Sequence, residues 1–183
     1  TRTVKDTAGT WVVTEATAMP MMTVSDEATI DKGTLLLRSR VIHQGPATIV
    51  VAFADNKAAG KMTMNGQERP IAADLGGALF ADGAGANDVV AALPLADGYT
   101  TTYRNFDLMA QKVKPRQLKV TGSEKVTVPA GSFDAWKVEI TPADGGSGET
   151  TTLWVDKASR QVVKVSTIIP EMNGAIATAE LVK

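Results

Sequence analysis

Residues 126–165, VTVPAGSFDAWKVEITPADGGSGETTTLWVDKASRQVVKV, decide the fold class of this chain. In SFDAWKVEIT, side-chain alternation puts Trp136, Val138 and Ile140 on one face of a strand. Phe133 falls opposite them unless a bulge intervenes. A second alternating run, TTTLWVD, follows the Gly-rich loop at 145–148, and RQVVKV returns after a polar turn in which Asp156 caps its own backbone. The reading is three consecutive antiparallel strands with Trp136 and Trp154 in strand interiors. Pro129 ends the strand before them, because it has no N–H to donate, and Gly131 admits a backbone conformation barred to residues with a Cβ. The stretch supplies a fold-defining corner and shows no chemistry of an enzyme.

The same pattern extends in both directions. Downstream, STII reaches an Asn173-Gly174 turn and then AIATAELV. Upstream lie YTTTYRNFD, MAQKVKPRQLKVTG and EKVTVPAG, read as three further strands. Earlier still, Thr10–Pro20 and MMTVSDEATIDKG each read as a strand, the second ending in an acidic turn. In TLLLRSRVIHQ from Thr34, alternation groups Leu35, Leu37, Ser39, Val41 and His43 on one face. ATIVVAFAD is apolar on both faces from Ile49 to Ala54, which predicts a central, fully covered strand. KAAGKMTM then meets Asn65-Gly66, the pair a type I′ hairpin requires because both turn residues need positive φ. In the returning strand, Pro70 favours an edge. Residues 76–98 break the pattern with a Gly/Ala-rich loop carrying one short helix, expected from Asp88 to Leu93 with Asn87 as N-cap and Pro94 as stop. The expectation is an all-β chain with minor α: one domain over residues 1–183, a strongly curved antiparallel sheet or half-open barrel built from sequential hairpins.

Composition narrows the function classes. The 183 residues are 44% hydrophobic and 21% charged with a formal net charge of -1, which is ordinary globular composition. That charge removes the electrostatic reason to expect nucleic acid or an anionic membrane as partner. The chain has no cysteine, so disulfides, thiolate metal sites and a Cys nucleophile are excluded. No apolar run has the length of a membrane span, and residues 1–11 lack the pattern of a signal peptide. No cofactor motif is present: the glycines at 83, 85, 98 and 145–148 form no phosphate-binding loop.

VPAGSF, FDAWKVEI and TLWVDKASRQVVKV together resemble a bacterial family of uncharacterised envelope proteins with a Val-Pro-Ala-Gly-x-Phe element and a Trp-Val-Asp strand. Val128 to Phe133 and Leu153 to Asp156 carry the tightest likeness, within a region of roughly residues 29 to 165. That family in turn resembles the lipoprotein-carrier (LolA/LolB-like) architecture, a curved antiparallel sheet around an apolar cavity. The resemblance implies a periplasmic or extracellular module, in some cases attached to a larger host protein, with a lipid or other apolar molecule as ligand. It carries over no catalytic residue.

Individual residues refine these expectations. His43 is the single histidine and the one neutral-pH proton shuttle, but no Gly-x-Ser-x-Gly elbow accompanies it, and a rim histidine is the plainer reading. Asp26, Glu27 and Asp31 read as a solvated acidic turn without the spacing of a calcium loop. The Gly76–Gly85 segment is either an ordinary long connection or a gate over a cavity. Methionines crowd the first third, and their flexible thioethers suit variable apolar ligands as well as gap-filling in a core. The leading hypothesis is a non-catalytic module that holds an apolar ligand against Trp11, Met19, Met62, Met64 and Trp136. The alternative is an accessory domain with a filled interior that acts through protein contacts, and the third is a hydrolase using His43 or the acidic turn.

Overall fold

The computed structural model describes residues 1–18, 22–146, 148–170 and 173–183. Its strands are β1 (Arg2–Thr7), β2 (Thr10–Ala18), β3 (Thr23–Asp31), β4 (Leu37–Gln44), β5 (Ala47–Ala54), β6 (Lys57–Met64), β7 (Gln67–Asp74), β8 (Thr100–Asp107), β9 (Lys112–Val128), β10 (Gly131–Pro142), β11 (Thr150–Asp156), β12 (Val162–Ile169) and β13 (Ala175–Glu180), with one helix, α1 (Ala86–Ala91). The all-β antiparallel expectation holds. The strands fall into two sheets, β1-β2-β3-β4-β5-β6-β7 and β13-β12-β11-β10-β9-β8, in which neighbouring strands are consecutive in the chain. By Cα proximity the chain forms two compact units, residues 1–86 with 104–114 and residues 87–103 with 115–183.

In the first unit the hairpins follow their turn residues. Asn65 and Gly66 have φ of 50° and 77°, which is the type I′ geometry, and Pro70 lies on β7 at the end of the sheet. One face is buried and carries cross-strand rows. The middle row runs Val4, Val13, Ala28, Arg40, Val51, Gly60, Ile71, and the next Arg2, Glu15, Asp26, Ile42, Ile49, Met62, Arg69. The opposite face is open, so β5 is central but covered on one side: Ile49, Val51 and Phe53 are buried while Val50 is 44% exposed. The grouping predicted for β4 also needs correction. Arg38 is an extra residue between the pairs Thr29–Ser39 and Ile30–Leu37, and a bulge of one residue reverses the alternation, turning Leu37 to the face of Arg40 and Ile42.

In the second unit, β10, β11 and β12 pair in sequence as the alternation requires. Val138 stands between Val120 and Leu153, and Ile140 beside Leu118. All five are at most 5% exposed. On the other face Val128, Ala135 and Val163 form a second cluster, with Phe133, Trp154 and Leu181 packed against it. Residues 112–128 are one long strand, β9, where the sequence suggested two. Thr121 is an extra residue between the pairs formed by Lys137 and Val138, so the Thr121-Gly122 step marks a bulge within a strand. α1 begins at Ala86, not Asp88, because Gly83 and Gly85 both take positive φ and the Ala86 N–H donates to the Gly83 carbonyl. That turn starts the helix early and puts Asn87 inside it.

Candidate functional site

The buried face of the first sheet is occupied by the chain itself. Residues 75–86 cross it as a strap in which Leu75, Leu79, Ala81 and Ala84 are at most 5% exposed. The Leu37 N–H donates to the Leu79 carbonyl, the Phe80 N–H to Arg104, and the Leu75 N–H to Asn56. This is the segment whose glycines suggested a flexible loop. Three of them are close-approach positions: a Cβ on Gly77 would sit 2.7 Å from Arg104 Nη1, one on Gly83 2.3 Å from Arg40 Nε, and one on Gly85 3.0 Å from Val13 Cγ2.

A cluster of charges fixes the strap. Arg40 donates through Nη2 to Asp26 Oδ2 at 2.7 Å and through Nη1 to Asp82 Oδ1 at 3.2 Å. The Ala84 N–H donates to Asp26 Oδ2, the Gly85 N–H to Glu15 Oε1, and the Phe106 N–H to Asp82 Oδ2. Asp26 and Asp82, unlike the half-exposed Glu15, are deep enough that a charge persists only when paired and hydrogen-bonded, and both meet that condition. Asp26 and Glu27 therefore lie within β3, not in a solvated turn. Asp31 ends that strand and accepts from the Gly33 and Thr34 amides, Thr34 Oγ1 and Arg38. Residue type alone could not separate Asp26 from Glu27. The register does, because Asp26 shares the Arg40 face and Glu27 the opposite one.

Burial pushes the Asp82 carboxyl up, partly offset by the Arg40 guanidinium and the Phe106 amide. Asp31 is held down chiefly by its hydrogen bond from Arg38, and Asp107 by that from the Ala110 amide. A carboxyl raised on folding binds its proton more tightly in the native state. Its contribution is present below the ordinary carboxylate pKa and is lost as pH rises through the native value, whereas the lowered carboxyls contribute above the ordinary value and lose that as pH falls. Asp82→Asn is therefore expected to remove a loss of stability that sets in as pH rises above the ordinary carboxylate value of about 4, read from urea midpoints across pH. An unchanged slope would contradict the raised assignment.

Trp11, Met62 and Met64 share the buried face, but Trp11 is on β2 and the methionines on β6, with β3, β4 and β5 between them. The Trp11 ring is half-buried beneath Lys32 Nζ at 5.9 Å, and Met64 is 47% exposed. Trp136 belongs to the second unit, where Arg160 lies 4.5 Å over its ring and Lys157 5.8 Å. Met19 lies outside the described residues. His43 is exposed, and Nδ1 shares a 3.2 Å hydrogen bond with Thr48 Oγ1. A hollow of about 190 Å³ lies between Leu37, Phe53, Leu75 and Leu79, with Arg38 and Asp55 also in its lining. Its lining mixes polar and apolar surface, and its volume is below the roughly 300 Å³ at which ligand pockets begin. Among the described residues, no group of three or more His, Cys, Asp or Glu is placed to hold a metal. No helix among them is long and apolar enough to cross a membrane.

In the second unit β13 ends its sheet with all six residues exposed. Ile176 is 66% exposed and its cross-strand partner Ile168 44%. The alternation of AIATAELV identifies this strand but not its place at the end of the sheet, since edge position is a property of topology.

The family model DUF3108, described as a protein of unknown function, matches residues 2–182. No curated protein and no solved structure matches the chain.

Proposed function

The chain belongs to the DUF3108 family, and from that premise we propose that it is a non-catalytic module of the bacterial envelope, periplasmic or extracellular, that acts through protein contacts. The observation that carries this reading is the strap: the buried face of the first sheet is filled by Leu75, Leu79, Ala81 and Ala84 and fastened by three carboxylates and Arg40. An apolar ligand on that face would have to displace hydrogen-bonded backbone from buried charges, at a cost of about 1–3 kcal/mol for each group left unpaired. The non-catalytic part is supported by His43, whose hydrogen bond goes to Thr48, and by Asp26, which is engaged by Arg40. The envelope location follows the likeness of Val128–Phe133 and Leu153–Asp156.

Native mass spectrometry of protein purified without detergent, paired with organic extraction, tests the reading. The expected result is an empty chain that also leaves a fluorescent fatty acid unbound. A stoichiometric lipid that co-purifies, and is lost in Met62→Glu/Met64→Glu protein that remains folded, would return the assignment to an apolar-ligand carrier.

A further inference from the structure

We propose that two copies of this chain associate by antiparallel pairing of β13 with β13, extending the sheet of the second unit across a two-fold axis. The inference rests on the protein-contact reading and names its partner.

The described sheets end in four strands, β1, β7, β8 and β13, and three of these are protected. An unprotected edge presents a row of unpaired N–H and C=O groups that templates pairing with another chain. On β7, Pro70 has no N–H, and the Gln111 side chain occupies the edge, accepting from the Ala72 N–H and donating to the Pro70 carbonyl, each at 3.1 Å. On β8, the Arg104 carbonyl accepts from the Phe80 N–H, and the Phe106 N–H is taken by Asp82. On β1, Arg2, Lys5 and Asp6 place three charges, one of them a lysine, on a strand of six residues. β13 has neither proline nor lysine. Its one charge, Glu180, is its last residue and is drawn sideways to Lys164 on β12 at 2.8 Å.

The register fixes which groups are free. The Leu181 N–H donates to the Val163 carbonyl, so the pairs 165–179, 167–177 and 169–175 share the bonded phase. The alternate residues Ile176, Thr178 and Glu180 turn their N–H and C=O groups to the open edge. In a second copy the same even-numbered residues face outward, so two β13 strands match in phase when the axis passes through Ala177. Ile176 then opposes Thr178 of the other copy, and Ala175 opposes Ala179. This is the longest register that leaves both Glu180 and the left-handed Gly174 (φ 73°) outside the paired run. It also sets Ile176 diagonally across the seam from Ile176 of the other copy, on the face that carries Ile168, while Ala175, Ala177 and Ala179 leave the opposite face unobstructed.

The chain has no cysteine, so one introduced thiol reports the register directly. At the axis the two Ala177 Cα atoms form a non-bonded pair about 4.5 Å apart, within the range a disulfide tolerates. The two Ala175 positions are about 13 Å apart. Ala177→Cys is expected to cross-link to a dimer on mild oxidation and Ala175→Cys to remain monomeric. Analytical ultracentrifugation of the natural chain should show a reversible dimer, weakened at least about tenfold in Thr178→Pro, which removes only an outward N–H, and in Ile176→Lys, which adds an edge charge. A monomer at every concentration, or equal cross-linking at both positions, would overturn the self-pairing. The fatty-acid assay decides the underlying contact reading separately, since a monomer that also binds no lipid retains that reading with a different partner.

Discussion

Arg40→Ala is expected to lower unfolding stability by about 3–5 kcal/mol, the cost of leaving buried carboxylates without their counter-charge. The Arg40 side chain is 13% exposed and those of Asp26 and Asp82 19% and 9%, so water cannot replace the guanidinium. The fork is as important as the charge, because Nη1 and Nη2 bind different carboxylates. Arg40→Lys should therefore recover only part of the loss. Urea denaturation measures the effect. Hydrogen exchange locates it, with the Ala84 and Gly85 amides expected to lose protection before the β5 ladder does. A loss below about 1 kcal/mol would mean that apolar burial of Leu79 alone holds the strap.

The second large effect is expected at a residue that burial would mark as tolerant. Gly60 is exposed on β6, yet a Cβ there would stand 2.0 Å from the Val50 carbonyl oxygen and 2.7 Å from Val51 Cα. Both are backbone atoms of the paired strand and cannot rotate away. Gly60→Ala must therefore part β5 from β6 in the row that contains Arg40 and Val51, and is expected to cost about 3 kcal/mol. Thermal melting compares it with Ala59→Ser next to it, where a change within about 0.5 kcal/mol is expected. Equal melting temperatures would show that the strands separate locally without strain.

The two mutations mark the division between what could be read along the chain and what could not. Asn65-Gly66, Pro70 and the alternation of β10 are local signals, and each forms the turn, edge or strand that its φ preference or period demands. β1 was missed because RTVKDT is exposed at every residue, and a strand with no buried face has no apolar alternation to detect. The strap is hidden from the sequence for a related reason. Gly83 and Gly85 in sequence denote conformational freedom, whereas here they allow backbone to approach Arg40 and Val13.

Strand class, most hairpins, the absence of thiol chemistry and the tryptophan-bearing strands β10 and β11 are legible along the chain, because these follow from periodicity and composition within short windows. Not legible there is that Asp26 faces Arg40 while Glu27 does not, that the Gly/Ala segment fills the buried face, and that β13 ends its sheet with no edge guard among the described residues. Each depends on register or strand order: one extra residue at Arg38 reverses a face, and only the final strand order shows which strands end a sheet.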